Sequence, residues 1–185
     1  MAKVESEIIS ENTPLHALLL SVGSGPGIIE TYLSRIRKDI RVITLDQNDN
    51  MISRTPLFLH PVLANGQHLP FSSYSFNVVV CITSLEFMDY PEQTIEEIVH
   101  VLKKDGILLA LLLNPDSPYV QEKMHRSNSY IGSHLKQQNL DLIMDAMSQR
   151  FRTIISEIDL NKDHHEKNEN IHPIMSRLKI VKAVK

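Results

Sequence analysis

The chain has 185 residues, which is long enough for one domain with a substantial core and short for two independent domains. Hydrophobic residues make up 42% of it and charged residues 22%, as in ordinary soluble globular proteins, so the composition argues against a disordered or fibrous chain. The formal net charge of -3, with both signs mixed along the chain, provides no basic footprint for nucleic acid, and nucleic-acid binding is unsupported.

The N-terminal residues and the apolar runs give no sign of export or membrane insertion. Residues 1–15 lack an apolar core behind a basic start, and the longest apolar run, 107–113, is far below membrane-spanning length. The single cysteine, Cys81, lies inside an apolar run and has no disulfide partner, so we expect a packed core thiol in a reducing compartment. The sequence therefore predicts a cytoplasmic protein without a membrane segment.

Taken in chain order, short apolar runs alternate with helical patterns. Five runs predict buried strands, at 17–22, 41–45, 61–64, 76–82 and 106–113, and two later runs, at 151–160 and 174–184, predict two more. Three segments between the runs repeat apolar residues at the spacing i, i+3, i+4, i+7 of an amphipathic helix. These apolar positions are Ile29, Tyr32, Leu33 and Ile36, then Ile95, Ile98, Val99 and Leu102, then Leu140, Ile143, Met144 and Met147.

The alternation of strands and helices predicts the architecture. We expect a single α/β domain over 1–185, built on a doubly wound, Rossmann-like sheet of seven strands that is mostly parallel with an antiparallel seventh strand. Its parts would be a first half at about 16–113, an insertion at 114–133, and a C-terminal helix and strands at 135–185.

Two connecting segments differ from the other links. Residues 114–133 exceed the usual length of a connection in an α/β unit, which favours a functional insertion. Residues 161–172 are polar and predict a solvated loop. His164, His165 and His172 in this loop could suggest a metal, but the chain lacks a recognised metal-binding spacing and no metal site is predicted.

The first predicted strand ends in a G-x-G-x-G turn, from Gly23 to Gly27, that leads directly into a helix. Glycines let the backbone bend tightly and approach a ligand, and free N–H groups at a helix start favour electron-rich groups. Asp46 ends the second strand, where a carboxylate can accept hydrogen bonds from ribose hydroxyls. Together these residues favour a nucleoside over a nicotinamide dinucleotide, whose fingerprint requires a small residue in place of Ile28. A plain glycine turn and a helix-capping role for Asp46 are the structural alternatives.

Five motifs follow one another in a specific order between about residues 16 and 113. They are LLLSVGSGPG, Asp46 with Met51 five residues later, Asn65-Gly66-Gln67 before Leu69-Pro70-Phe71, NVVVCITSLE, and EEIVHVLKKDG. In order and spacing they resemble the class I S-adenosylmethionine-dependent methyltransferases, in the branch called type 11. The resemblance implies an enzyme that uses S-adenosyl-L-methionine as cofactor and methylates an acceptor by direct displacement. Since the chain has no basic patch, we expect a small-molecule acceptor.

The resemblance assigns a cofactor site to the ends of the strands. The residues that would wrap the methionine part and the ribose are Gly23, Ser24, Gly25 and Gly27. The residues that would hold the ribose hydroxyls and the adenine are Asp46, Gln47, Met51, Asn65 and Gly66. The residues that would lie beside the sulfonium are Ile82, Thr83 and Ser84. Met51 could instead be core filler, and Asn65 could only support its own turn.

Three positions depart from the family pattern: Ser21 where an acidic residue is common, Asn65 where Asp is common, and Phe87 where His is frequent. The catalytic group stays open, because direct displacement depends on positioning and desolvation and a general base is optional. The candidates for such a base are Glu86, His125 and Tyr130. The alternative function, favoured by Ser21, is a non-catalytic methyltransferase-fold subunit that binds a protein partner.

The substrate cover is expected from segments 114–133 and 161–172, because ligands of open α/β sheets bind beyond the carboxyl ends of the parallel strands. Because the first strand begins near residue 17, we expect the chain to lack the N-terminal helices with which many relatives cover their substrates. The first segment carries aromatic and cationic side chains that suit an anionic or aromatic acceptor: Tyr119, Lys123, His125, Arg126 and Tyr130. The sequence identifies neither the acceptor, nor the attacked atom, nor the oligomeric state.

Overall fold

A computed structural model describes residues 2–126, 128–136, 138–156 and 178–185. Within these ranges, seven strands form one sheet in the order β3-β2-β1-β4-β5-β7-β6. The strands are β1 Leu18–Val22, β2 Arg41–Asp46, β3 Pro61–Leu63, β4 Phe76–Ile82, β5 Leu102–Leu113, β6 Thr153–Ser156 and β7 Leu178–Val184. Strands β1 to β5 pair in parallel, whereas β7 runs antiparallel to both β5 and β6. The predicted α/β sheet, mostly parallel with an antiparallel last strand, is confirmed.

Helices cover both faces of this sheet. They are α1 Ala2–Glu11, α2 Ile28–Ile36, α3 Asp49–Ile52, α4 Pro91–Val101, α5 Pro118–Met124, α6 Tyr130–His134 and α7 Gln138–Arg150, with short 3-10 turns at Leu57–Leu59 and Leu85–Phe87. In the described ranges, none of these helices combines the length and the apolar character needed to cross a bilayer.

The sheet has a hydrophobic core on each of its two faces, because successive side chains of a strand point to opposite faces. On β1, Leu20 points into a core with Ile98 of α4 and Met147 of α7, whereas its neighbour Leu19 points into a core with Ile9 of α1. Cys81 on β4 is fully buried in the first core, which confirms the predicted packed thiol, and burial raises its pKa. Because both faces of the central strands are covered, the ends of the strands remain accessible to a ligand.

Helix α1 precedes β1 and was not predicted from the sequence. Its inward face packs on α2 and buries Ile8 and Ile9. The same face also buries Glu5 and Ser6, at 2% and 1% exposure. These two polar residues interrupt the apolar stripe, which explains why the helical spacing was not recognised.

Helix α2 also differs from its predicted pattern. Leu33 is fully buried, but Tyr32 and Ile36 are 39% and 52% exposed, as is Ile28 at 57%. Ile28, Tyr32 and Ile36 lie four residues apart and form a second stripe that faces away from the sheet. The prediction that Tyr32 and Ile36 belong to the core-facing stripe is therefore wrong.

Much of the insertion at 114–133 lies in two short helices, α5 and α6. Helix α5 begins after Ser117, whose hydroxyl accepts a hydrogen bond from the N–H of Val120, and α6 begins after Ser129, which accepts one from Gly132. The predicted polar loop 161–172, with its three histidines, lies outside the described residues, as do parts of the sixth and seventh predicted strands.

Candidate functional site

A cavity of about 500 Å³ opens at the carboxyl ends of β1, β2 and β4. This edge is where ligands of open α/β sheets bind. The described residues that line it are Val22, Gly23, Gly25, Pro26, Leu45, Asp46, Gln47, Asn48, Met51, Asn65, Gly66, Gln67, Thr83, Ser84, Phe87, Met88, Asp89, Tyr90 and Tyr130.

The glycine turn between β1 and α2 is tight because its backbone adopts conformations that side chains disfavour. Gly23 has φ 72° and Gly25 has φ 56°, both in the left-handed region. A Cβ on Gly23 would lie 2.6 Å from the Cβ of Ser84, whereas a Cβ on Gly25 would meet no atom within 4 Å. The N–H groups of Gly23 and Ser24 both donate to the carbonyl of Leu45, at 2.8 and 3.1 Å. The turn is thereby held against the end of β2.

The carboxylate of Asp46 joins this turn to the cavity. Its Oδ2 accepts a 2.8 Å hydrogen bond from the N–H of Gly25, and its Oδ1 accepts one of 2.8 Å from the N–H of Asn48. Each oxygen of a carboxylate has a further acceptor site, so Asp46 can still bind hydroxyl groups from the cavity. Helix α3 starts after Asn48, and Asp46 therefore does not cap it. The helix-capping alternative for Asp46 is wrong.

On the far side of Asp46, the cavity is lined by Met51, Asn65 and Gly66. Met51 is 41% exposed, which rules out the alternative that it is core filler. The Oδ1 of Asn65 accepts a 2.9 Å hydrogen bond from the N–H of Gln67, so Asn65 supports its turn and also lines the cavity. These three residues give this side of the cavity both polar and apolar groups.

At the end of β4, Thr83 holds an unusual backbone conformation. Its φ is 45°, which is a strained value for a β-branched residue. Its N–H donates 2.8 Å to the carbonyl of Leu111 on β5, which fixes this conformation. The next residue, Ser84, donates 2.9 Å from its hydroxyl to the carbonyl of Val22. The ends of β1 and β4 are thus joined at the floor of the cavity.

The structure brings most of the sequence-predicted site residues together. Those that line the cavity are Gly23, Gly25, Asp46, Gln47, Met51, Asn65, Gly66, Thr83 and Ser84. Ser24, Gly27 and Ile82 are not among the lining residues. A Cβ on Gly27 would contact Thr55 at 2.9 Å, and the side chain of Ile82 is buried in the core, so both residues serve packing.

Two of the three candidate bases lie outside the cavity. Glu86 is fully buried, and its Oε1 accepts a 2.8 Å hydrogen bond from the N–H of Leu113. Burial raises the pKa of Glu86 to about 7. His125 is exposed on α5, where its Nδ1 lies 2.7 Å from the carbonyl of Gln121. Of the three candidates, Tyr130 alone lines the cavity.

The cations of the insertion make local contacts. The ammonium of Lys123 lies 5.6 Å from the ring centroid of Tyr119, and Arg126 forms an ion pair with Glu122 one helical turn earlier. The prediction that this segment provides Lys123, His125 and Arg126 to the substrate region finds no support in the described cavity, which includes only Tyr130 from it.

The sequence did not predict the part of the cavity lining that follows β4. Met88, Asp89 and Tyr90 line the cavity together with Phe87, which the sequence had marked only as a departure. The signal was present in the run SLEFMDY, which places aromatic and sulfur side chains in a loop immediately after a buried strand. Such residues in a loop at the binding edge of a sheet favour a ligand contact.

Comparison with known proteins agrees with this geometry. A family model described as a methyltransferase domain matches residues 20–110. An uncharacterized protein of Methanocaldococcus jannaschii is 34% identical over 105 residues, which span 57% of this chain and 44% of that protein. A human mitochondrial protein named an arginine hydroxylase is 30% identical over 113 residues, spanning 60% of this chain and 32% of its own. A ubiquinone/menaquinone biosynthesis C-methyltransferase of Blochmanniella floridana is 33% identical over 104 residues, spanning 50% and 41%.

The aligned parts are less than half the length of these three relatives. Among solved structures, an S-adenosylmethionine-dependent methyltransferase of Thermotoga maritima, described as a possible histamine N-methyltransferase, superposes with a TM-score of 0.72. It is 18% identical, and the match covers 100% of this chain and 89% of that one, which establishes a common fold. The match over residues 20–110 and this common fold agree with the resemblance of the strand-end motifs to the class I S-adenosylmethionine-dependent methyltransferases.

Proposed function

We propose that the protein binds S-adenosylmethionine in the cavity at the strand ends and transfers its methyl group to a small-molecule acceptor. The observation that carries this proposal is the pairing of Asp46 with the glycine turn. The carboxylate is oriented by two backbone N–H groups and keeps free acceptor sites, while Gly25 leaves open space at the backbone beside it. This arrangement fits a nucleoside with an extended amino-acid tail.

Each part of the cofactor would have its own group of residues. Asp46 would accept hydrogen bonds from the ribose hydroxyls, and Met51 would contact the adenine beside the exposed amide of Asn65. The methionine part would cross the glycine turn at Gly23 towards Ser84. When bound, the cofactor supplies a methyl group on an electrophilic sulfonium.

The contribution of the chain to the reaction would be positioning. The strained Thr83 and the hydrogen-bonded Ser84 form the floor of the cavity, and Phe87 and Met88, which line it, would exclude water from the reacting region once the cofactor is bound. Displacement on a methyl group requires an aligned nucleophile, and alignment and desolvation supply much of the acceleration. A general base is not required, which agrees with the burial of Glu86 away from the cavity.

The proposal is tested in two steps. Calorimetry with S-adenosylmethionine and S-adenosylhomocysteine measures binding, and incubation with methyl-labelled cofactor and a size-fractionated extract of the source organism measures transfer. We expect binding and label in the small-molecule fraction. Absence of binding would refute the cofactor site, and label confined to macromolecules would refute the small-molecule acceptor.

A second function, a subunit that binds a protein partner, is supported by one surface. Strand β3 forms an edge of the described sheet, and near it Leu57, Phe58 and Leu63 are 85%, 59% and 56% exposed. Apolar side chains beside an open strand edge are suited to association. Cofactor binding without transfer to any fraction, together with mass-determined complex formation that Phe58→Asp abolishes, would favour this function over catalysis.

The relative named an arginine hydroxylase is a reason to test transfer directly. It shares 30% identity with this chain, yet its name describes a reaction other than methylation. Mass spectrometry of the products in the same extract experiment separates the two reactions, because a methyl group adds CH₂ and hydroxylation adds oxygen. We propose the cytoplasm as the compartment, which the buried, free thiol of Cys81 supports.

A further inference from the structure

Three aromatic rings stand in contact on one side of the cavity. The ring centroids of Phe87 and Tyr130 are 5.3 Å apart with planes inclined by 47°, and those of Tyr130 and His134 are 4.3 Å apart and nearly parallel, at 18°. Phe87 and Tyr130 line the cavity, while His134 lies behind Tyr130 on the same helix, α6. We name Phe87, Tyr130 and His134 the aromatic wall.

The aromatic wall lies opposite the nucleoside residues. Asp46 ends β2, and Phe87 follows β4, and these two strands flank β1 on its two sides in the sheet. A cofactor that extends from Asp46 across the glycine turn would therefore point its far end towards Phe87. The wall is thus placed where the acceptor must approach, if the proposed function holds.

Tyr130 is exposed, and one face of its ring stacks on His134. Its side chain is 64% exposed, which leaves a large ring surface in contact with water. The imidazole of His134 supports one face of this ring, and Nδ1 of His134 lies 3.1 Å from the carbonyl of Tyr130. A ring that is exposed, supported and orientated in advance binds a flat partner with little loss of conformational freedom.

The charges around the aromatic wall disfavour an acidic acceptor. Among the described residues that line the cavity, the charged side chains are Asp46 and Asp89. Asp89 is paired with Lys136 at 2.5 Å, so its charge is balanced and does not require a ligand cation. Lys123 and Arg126, which belong to the preceding segment, contact Tyr119 and Glu122. An anionic ring would therefore meet the carboxylate of Asp46, the Asp89–Lys136 pair and no cation among the described residues that line the cavity.

We propose that the aromatic wall is the acceptor site and that it takes a flat aromatic ring that is neutral or cationic, stacked on Tyr130 and in contact with Phe87. This inference rests on the proposed function, because the wall is an acceptor site only if the cofactor occupies the adjoining part of the cavity. It narrows the acceptor class from any small molecule to aromatic compounds without acidic groups near the ring.

The test uses three small probes of matched size on the protein saturated with S-adenosylhomocysteine. The probes are 2-phenylethylamine, 2-cyclohexylethylamine and phenylacetate, which separate the effect of the aromatic ring from the effect of charge. Ligand-observed NMR titration should give 2-phenylethylamine at least about a fivefold advantage over each of the other two. Equal binding of 2-cyclohexylethylamine would refute stacking, and equal or tighter binding of phenylacetate would refute the charge preference.

Variants of the protein show where 2-phenylethylamine binds. Tyr130→Ala should lower the affinity for 2-phenylethylamine by about fivefold. Tyr130→Phe keeps the ring, and its affinity should stay within about twofold of that of the wild type. Tyr32→Ala removes a partly exposed ring on α2, outside the cavity, and should change nothing. An unchanged affinity in Tyr130→Ala, or no binding of 2-phenylethylamine to the wild type, would overturn the proposal.

The proposed function has its own readout in the same samples. If S-adenosylhomocysteine fails to bind, the cofactor proposal fails, and the acceptor assignment fails with it. If S-adenosylhomocysteine binds equally to the wild type and Tyr130→Ala while the probes do not discriminate, the cofactor proposal stands and the aromatic acceptor alone is refuted.

Discussion

The hydroxyl of Ser21, at the end of β1, donates a 2.5 Å hydrogen bond to Oε1 of Glu30, in the first turn of α2. Both side chains are buried, at 1% and 2% exposure. The two residues flank the glycine turn, so their bond ties the strand before the turn to the helix after it. Ser21 stands where the family commonly has an acidic residue, and in this chain a carboxylate reaches the same point from α2.

We expect loss of this bond to reduce stability. Ser21→Ala removes the donor and leaves a buried carboxylate oxygen unpaired, which should cost roughly 1–3 kcal/mol of the free energy of unfolding. Glu30→Gln keeps an acceptor oxygen for Ser21 and lowers the cost of burying a charge, and should therefore cost less. Urea denaturation at constant pH measures both variants, and a larger loss in Glu30→Gln would contradict the assignment.

Glu86 should make stability depend on pH. Burial raises its pKa from 4.5 to about 7. Between these values the folded state keeps the proton while the unfolded state releases it, so stability falls as pH rises through this range. Across this range the ionisation of Glu86 should lower the free energy of unfolding by about 3 kcal/mol. Below pH 4.5 it should cause no loss, because the carboxyl group is protonated in both states.

The measurement compares wild type with Glu86→Gln at pH 4 and pH 8. The neutral side chain cannot ionise, so the variant should lose less stability between the two values than wild type. Glu122→Gln, at an exposed position on α5, serves as control and should retain the pH dependence of wild type. Parallel pH profiles for wild type and Glu86→Gln would show that the carboxyl does not carry the effect.

The two glycines of the turn should respond differently to alanine. Both have positive φ, which costs an alanine roughly 1–2 kcal/mol. Only Gly23→Ala adds a clash, with the Cβ of Ser84 at 2.6 Å. Thermal denaturation should therefore give Gly23→Ala a lower melting temperature than Gly25→Ala. Adding Ser84→Gly to Gly23→Ala should restore part of the loss, because it removes the clashing atoms. Equal destabilisation of the two glycine variants would refute the close approach to Ser84.

Asp46 should matter for binding more than any nearby carboxylate. Asp46→Ala removes the proposed acceptor for two ribose hydroxyls and should lose roughly 1.5–3 kcal/mol of S-adenosylhomocysteine affinity in calorimetry. Asp49→Asn changes an exposed residue of α3 that does not line the cavity and should bind like wild type. An unchanged affinity in Asp46→Ala would remove this residue from the site.

The strands and the nucleoside side of the cavity could be predicted because their signals are local. Buried parallel strands are continuous apolar runs, and Gly23 and Asp46 stand directly at strand ends. Helix α1 was missed because Glu5 is buried in its inward face, against the usual pattern. The aromatic wall was missed because Phe87 and Tyr130 are distant in sequence and meet only when α6 folds back over the end of β4. Contacts of this kind follow from tertiary packing, which spacing along one segment does not encode.

Thr83 has a consequence for any attempt to make this protein more robust. A left-handed threonine stores strain that a glycine at the same position would release. Thr83→Gly would therefore be attractive to an engineer who selects only for thermal tolerance, although part of the gain would be lost to the greater freedom of glycine in the unfolded chain. The same substitution would loosen the floor on which the proposed reaction depends, so durability and turnover compete at a single position of the chain.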